Sequence, residues 1–264
     1  MIDNPRSPRV RAVHKLAKRS AREETGLFLV EGPQAVSEAL AFHFELLVEL
    51  YLTPAALDRY TDIVEAAVDA SLDVETVSEQ VLEAMADTVT PQGVLAVCRQ
   101  FPLSAAELVA RGPRLLAILH EVRDPGNAGT IIRAADAAGA DGVILTGASV
   151  DAYNPKVVRS TTGSIFHVPI AQNGSLEDAL AAVRGAGLQV LAADVKGDEL
   201  PLVRDALAAP TAWLFGNEAH GLADEDLARA DRAVRLPIYG HAESLNLATA
   251  ASVCLYESAF AHRA

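Results

Sequence analysis

The sequence has no apolar run approaching the roughly 18 residues of a membrane span. Its first stretch, MIDNPRSPRVRAVHK, also lacks the apolar core of a secretion signal. Both absences point to a cytoplasmic protein with no membrane contact. Cysteine is scarce: Cys98 and Cys254 stand far apart inside apolar stretches, as buried thiols in a reducing compartment do, which excludes a disulfide framework. No second histidine stands at ligand spacing from His220, and no metal is expected. The GxGxxG fingerprint is missing, since GNAG at 126–129 lacks its spacing, which disfavours a standard Rossmann dinucleotide site. No internal repeat or low-complexity tract is present.

Basic residues are also in short supply, with 22 Lys and Arg against 35 Asp and Glu and a formal net charge of −13. Such a chain cannot coat nucleic acid through bulk charge. The cations are nevertheless concentrated. Residues 1–22 carry Arg6, Arg9, Arg11, Lys15, Lys18, Arg19 and Arg22 against the single acid Asp3, whereas residues 31–98 carry 13 acids against Arg59 alone. A basic arm therefore precedes an acidic segment.

What is present is length and hydrophobicity. With 264 residues, half of them hydrophobic, the chain can bury a sizeable core and form two domains. In the first hundred residues, basic SPRVRAVHKLAKRSAR opens an alternation of helix and strand running through GLFLVEG, PQAVSEALAF, ELLVELYLT and on to GVLAVCR, the pattern of a small α/β layer domain. Pro102 and Gly112-Pro113 bound a linker with room for one helical turn. The expected boundaries are 1–100, a linker over 101–113, and 114–264. The last segment restarts the alternation with near-continuous apolar strands, RLLAILHEV, DGVILTG, IFHVPI, LQVLAAD, TAWLFG and RAVRLPI, which implies a parallel sheet covered by helices on both faces.

Ligands of such sheets sit at the carboxyl ends of the strands. Three clusters fall there: HEVRDPGNAGTIIRAADAAG after LLAIL, GNEAHGL after AWLF, and YGHAESLNLATA after AVRLPI. Each places glycine or proline with polar groups beside a helix start, where backbone N–H groups are open to a ligand. Glu218, directly after a buried strand, needs a partner or a ligand. His220 reads as a solvent-facing loop residue. In the third cluster, Ser244 reads as the cap of the closing helix, which leaves Glu243 and Asn246 without a structural reason.

Together, NAGTIIRAADAAG, LFGNEAHGL and LPIYGHAESLNLATAASVCLYE resemble, in order and spacing, the three motifs of the SpoU (TrmH) family of RNA ribose 2′-O-methyltransferases. KLAKRSAREETGLFLVEG resembles the opening of that family's L30e-like substrate-binding domain. The resemblance implies a SPOUT fold, a parallel α/β sheet whose C-terminal chain is threaded into a trefoil knot, behind a small L30e-like α/β domain. It implies S-adenosylmethionine (SAM) as methyl donor, bound by Ala192, Ala193, Phe215, Gly216, Asn217, Leu236, Ile238 and Leu245. Carried over by motif position, Asn127, Arg133, Glu218, Ser244 and Asn246 form the catalytic set. Arg133 is assigned to stabilising the developing alkoxide, or to acting beside a neighbouring phosphate that takes the proton, rather than to accepting the proton itself, because a guanidinium stays protonated.

The family also implies a homodimer with the site shared between chains, and RNA docked on the basic arm through Arg9, Arg11, Lys15, Lys18, Arg19 and Arg22. The RNA expected is the 23S ribosomal RNA. The alternatives are a transfer RNA target, a methylase that confers antibiotic resistance, and an RNA-binding module without turnover.

Overall fold

The computed structural model describes residues 1–264. It divides into two compact units, Met1–Phe101 with Tyr153–His167, and Pro102–Ala152 with Val168–Ala264.

The first unit begins with α1 (Pro8–Lys15) and α2 (Arg19–Thr25). The basic stretch is thus two helices rather than the single one expected, because Leu16, Ala17 and Lys18 close a turn on the carbonyls of Val13, His14 and Lys15. Then follow β1 (Leu27–Glu31), α3 (Pro33–His43), β2 (Leu47–Leu52), α4 (Pro54–Arg59), α5 (Thr61–Asp69), β3 (Val74–Thr76), α6 (Glu79–Met85) and β4 (Val94–Arg99). The strands make a mixed sheet in the order β1-β4-β2-β3, with only β2 and β3 parallel. Val10, Val13 and Leu16 pack with Leu29, Tyr51, Val81, Leu82 and Met85 in one buried cluster, so the apolar stripe of the basic helix seals this core.

The second unit opens with α7 (Ala105–Val109), β5 (Leu115–His120), α8 (Pro125–Ala138) and β6 (Gly142–Thr146). The expected linker contains α7, fixed by a Ser104–Glu107 capping box and by fully buried Leu108. The chain next supplies α9 (Pro155–Thr161) to the first unit. The strand expected over IFHVPI begins only at Ile170, behind a 3-10 turn over Ser164–Phe166. Phe166 is drawn into an aromatic cluster, its ring stacked 6.0 Å from Phe101, while Tyr153 lies 4.7 Å from Phe28. Arg159 pairs with buried Glu31 and, at 2.9 Å, with Asp87.

Back in the second unit come β7 (Ile170–Gly174), α10 (Leu176–Gly185), β8 (Gln189–Glu199), β9 (Thr211–Phe215), α11 (Asp224–Leu227), β10 (Arg232–Arg235) and α12 (Leu247–Ala261). All six strands are parallel, in the order β10-β8-β9-β5-β6-β7. Leu116, Ile118, Val190, Ala212 and Leu214 meet α7 and α10 on one face. On the other, the fully buried Trp213 indole donates to Ser258 of α12 at 2.9 Å. The sheet is therefore covered on both faces, as the strand composition requires. No helix is long and apolar enough to cross a membrane.

Candidate active site at the switch point of the parallel sheet

The chain leaves β5 towards β6 and β7 on one side, and places β9, β8 and β10 on the other. The direction therefore switches between β5 and β9, where a crevice opens at the carboxyl edge of open α/β sheets. Glu121–Asp124 follow β5, and Gly216–Leu222 follow β9.

The loop after β9 is a closed turn. The Asn217 N–H donates to the Gly221 carbonyl at 3.0 Å and the Gly221 N–H returns to Asn217 at 2.8 Å. The Asn217 carboxamide oxygen accepts from the N–H groups of Ala219 and His220, and its Nδ2 donates to the Glu121 carbonyl at 2.9 Å. Glu121 holds a left-handed φ of 57°, a conformation that costs a non-glycine residue of order 1–3 kcal/mol. That strain aims its carbonyl at Asn217. Its carboxyl is held below the usual carboxylate range by the Ala148 N–H and the Arg123 guanidinium.

Glu218 then reaches back across the crevice. Its Oε2 accepts from the Arg123 N–H at 3.2 Å, and its Oε1 accepts from the Asp124 N–H at 2.9 Å and from Asn127 Nδ2 at 3.4 Å. These backbone donors precede α8, whose first turn is set by Pro125 and by Asp124 accepting from the Asn127 N–H. A carboxylate at this end of a helix is also favoured by its dipole.

Asn246 completes the chain of contacts. It is the N-cap of α12, its Oδ1 accepting from the N–H groups of Ala248 and Thr249; the cap is not Ser244, as the sequence led us to expect. With its oxygen so used, only Nδ2 remains, and it donates to Asn127 Oδ1 at 3.0 Å. Asn127 is thereby oriented with Nδ2 towards Glu218. The polar groups of all three motifs form one directed network.

Ser244 does not cap, because α12 starts at Leu247; residues 243–245 instead line the wall of a cleft of about 410 Å³, together with Ala193, Phe215, Asn217, Glu218, Leu236 and Ile238. This volume is that of a typical small-molecule site. Ala192 and Gly216 are buried behind it. A Cβ on Gly216 would lie 2.5 Å from the Gly221 carbonyl, so only glycine permits this approach of the two backbones. The cleft also takes in Asp194, Lys196, His220, Arg235 and Glu243, which the sequence reading did not assign to it. A separate depression between the first turns of α8 and α12 is lined by Asn127, Thr130, Asn246, Thr249 and Ser252.

Arg133 is not brought to the cleft within the chain. It is exposed on α8, one turn before Ala137, whose carbonyl accepts from Tyr256 of α12. The six cations assigned to RNA also separate. Arg22 is 1% exposed and donates to the carbonyls of Leu16 and Ala17, so its assignment is corrected: it holds the α1–α2 turn. Arg9 is tied to Tyr51 and Glu75, and Arg19 to Glu23. Arg11, Lys15 and Lys18 are exposed.

A parallel sheet with an apolar-floored, polar-rimmed cleft at its switch point defines an α/β enzyme that binds a nucleotide-like cofactor. Residues 114–256 match the SpoU rRNA Methylase family, and residues 7–96 match the MRM3-like substrate binding domain. The chain is 31% identical over 97% of both lengths to the Bacillus subtilis 23S rRNA (guanosine(2553)-2′-O)-methyltransferase RlmP. An AdoMet-bound rRNA methyltransferase from Sinorhizobium meliloti superposes with a TM-score of 0.83 at 32% identity, covering 97% of this chain and 96% of that one. The AdoMet complex of the SpoU methyltransferase AviRb from Streptomyces viridochromogenes gives 0.82 at 30% identity, covering 96% and 98%. The chain belongs to the SpoU rRNA methylase family. It is a methyltransferase with SAM as methyl donor.

Proposed function

We propose that the protein methylates a ribose 2′-hydroxyl of 23S ribosomal RNA, in the cytoplasm and as a homodimer. The observation that carries this reading is the directed network from Asn246 through Asn127 to Glu218 at the rim of the apolar cleft. SAM, when bound, supplies an electrophilic methyl group.

Phe215, Leu236, Ile238 and Leu245 form apolar walls suited to a purine, and the 216–222 backbone approaches without side chains in the way. Asn127, Asn246 and Ser244 fix the acceptor ribose, which arrives from the depression between α8 and α12. Holding acceptor and donor in line accounts for a large share of the acceleration in such a transfer. Glu218 accepts from two backbone N–H groups ahead of α8 and from Asn127 Nδ2, so it orients Asn127 and the helix start, and the 2′-hydroxyl proton leaves to a neighbouring phosphate oxygen of the RNA.

Stabilisation of the developing alkoxide falls to Arg133 of the partner protomer. Tyr256 and Phe260, 38% and 63% exposed, have rings 5.7 Å apart, and with half-exposed Val253 they present an apolar strip beside the α8 face that carries Arg133. Burial of that strip against a second copy would bring the two guanidinium groups to the interface. We also read residues 236–246 as the threaded segment of the trefoil knot that the family resemblance implies.

RNA docking rests on Arg11, Lys15 and Lys18, with affinity that falls as salt rises. Incubating the purified protein with labelled SAM and unmodified ribosomal RNA, followed by nuclease digestion, tests the assignment. Label is expected in a nuclease-resistant dinucleotide from 23S RNA; label on a base, or on transfer RNA alone, overturns it.

A further inference from the structure

The last part of β8 is not an ordinary strand end. Its pairing with β9 stops at Ala192 opposite Leu214. Against β10 the register jumps from Ala192 opposite Ala233 to Asp198 opposite Val234. Residues 193–197 are therefore an excursion that no residue of β10 opposes, and Ala193, Asp194, Val195 and Lys196 form one wall of the cleft.

Three features build this excursion. Its neck is closed by Gly197, where a Cβ would lie 2.3 Å from the Ala233 carbonyl carbon and 2.4 Å from the Val234 nitrogen; no other residue fits so close to the β10 backbone. Its tip is shaped by Asp194, whose Oδ1 accepts from the Lys196 N–H at 2.8 Å. Its far side is tethered by Lys196, which reaches Asp224 at 2.7 Å. The second oxygen of Asp194 is used by none of these. It faces the 217–221 turn, 3.8 Å from where a Gly221 Cβ would stand, and accepts from no group of the chain.

We propose that Asp194 is a cofactor-positioning residue whose Oδ2 accepts from the ribose diol of the adenosyl group of SAM. The inference rests on the cofactor reading of this cleft and adds the group that fixes the nucleoside within it. The apolar side chains of the cleft, Phe215, Leu236, Ile238 and Leu245, carry no acceptor, while a carboxylate matches a pair of vicinal hydroxyls, the use to which dinucleotide sites put an acidic residue. Glu218, the other carboxylate on the turn side, already accepts from two backbone N–H groups and from Asn127 Nδ2, and Glu243 belongs to the separate 243–245 wall. Asp194 is thus the available acceptor where the excursion meets the turn.

The test is calorimetric titration of the full-length protein and Asp194→Asn with S-adenosylhomocysteine, with 5′-methylthioadenosine, which keeps the ribose diol but has no amino-acid tail, and with its 2′,3′-dideoxy form. Asparagine retains the Oδ1 acceptor that shapes the tip, so the fold is preserved; thermal unfolding of the variant verifies this. We expect both diol compounds to bind about tenfold more weakly to Asp194→Asn, the loss of one charge-assisted hydrogen bond. We also expect the preference over the dideoxy compound to shrink, and in turnover KM for SAM to rise with kcat within about threefold of wild type. Unchanged binding, or a loss confined to S-adenosylhomocysteine, overturns the assignment, the latter because Asp194 would then read the amino-acid tail. Failure of the wild-type protein to bind either diol compound instead removes the cofactor reading on which the proposal stands.

Discussion

Asn246 donates through Nδ2 to Asn127 Oδ1 at 3.0 Å across 119 residues of chain, and its own Oδ1 holds the first turn of α12. One carboxamide therefore does two separable things. Asn246→Asp keeps the cap oxygen but replaces the donor with an acceptor, so Asn127 loses its orientation. We expect a thermal midpoint close to wild type and kcat/KM lower by at least about tenfold, because misplacement of about 1 Å at a reacting centre costs up to a hundredfold. Asn246→Ala removes both roles and should also lose about 1 kcal/mol of stability. Denaturant titration and methyl-transfer assays on the two variants separate capping from positioning.

The cleft depends on backbone proximity at Gly216. A methyl group there would lie 2.5 Å from Gly221, which forces the closed 217–221 turn to move. Gly216→Ala is expected to abolish measurable binding of S-adenosylhomocysteine while far-UV circular dichroism stays native. The turn lies beyond the end of β9, so its displacement leaves the sheet pairing intact.

Behind the site, Trp213 and Ser258 are both fully buried, and their 2.9 Å hydrogen bond is the indole's polar contact. Ser258→Ala leaves the indole N–H unpaired in an apolar setting, at a cost of about 1–3 kcal/mol. The expected result is a lower urea midpoint with an unchanged slope and unchanged KM for SAM.

The basic arm divides into cations that serve the fold and exposed cations, which we propose dock RNA. Arg22→Ala frees the carbonyls of Leu16 and Ala17 and should lower stability. Lys15→Ala touches no partner in the chain; it should weaken RNA binding at every sequence and reduce the salt slope of log K by about one. Filter binding across a salt series, beside thermal unfolding of the same variants, distinguishes the two classes.

The three polar loops were legible because the physics that places them is local. Glycine and polar residues at the ends of apolar strands mark the carboxyl edge of a parallel sheet, and GNEAHGL and HAESLN carry that mark openly. Other features were hidden because they depend on what is packed nearby. Ser244 and Asn246 are equally good caps by propensity, and the choice between them follows from where α12 begins, at Leu247, with Asn246 also held by Asn127. Arg22 looks like its neighbours until the turn at Leu16 and Ala17 folds over it. Residues 153–167 join the first unit through Phe166, Tyr153 and Arg159, contacts that no spacing announces. The excursion at 193–197 left one trace, a glycine inside an otherwise strand-like run.

Arg133 offers the sharpest test of the dimeric site. If its guanidinium serves the partner's cleft, a dimer of one Arg133→Ala chain and one Glu218→Gln chain contains one complete site: intact Glu218 and Asn127 from the first chain and intact Arg133 from the second. We expect each variant alone to be strongly impaired, and mixing the two in equal amounts under conditions that allow exchange should raise activity to about a quarter of wild type, since half the two-fold dimers are hybrids with one working site each. A guanidinium acting within its own chain leaves every hybrid site defective, and the mixture stays impaired. Adding Tyr256→Lys to both variants places a charge on the apolar strip; it should abolish the rescue and shift the protein to monomer in analytical ultracentrifugation.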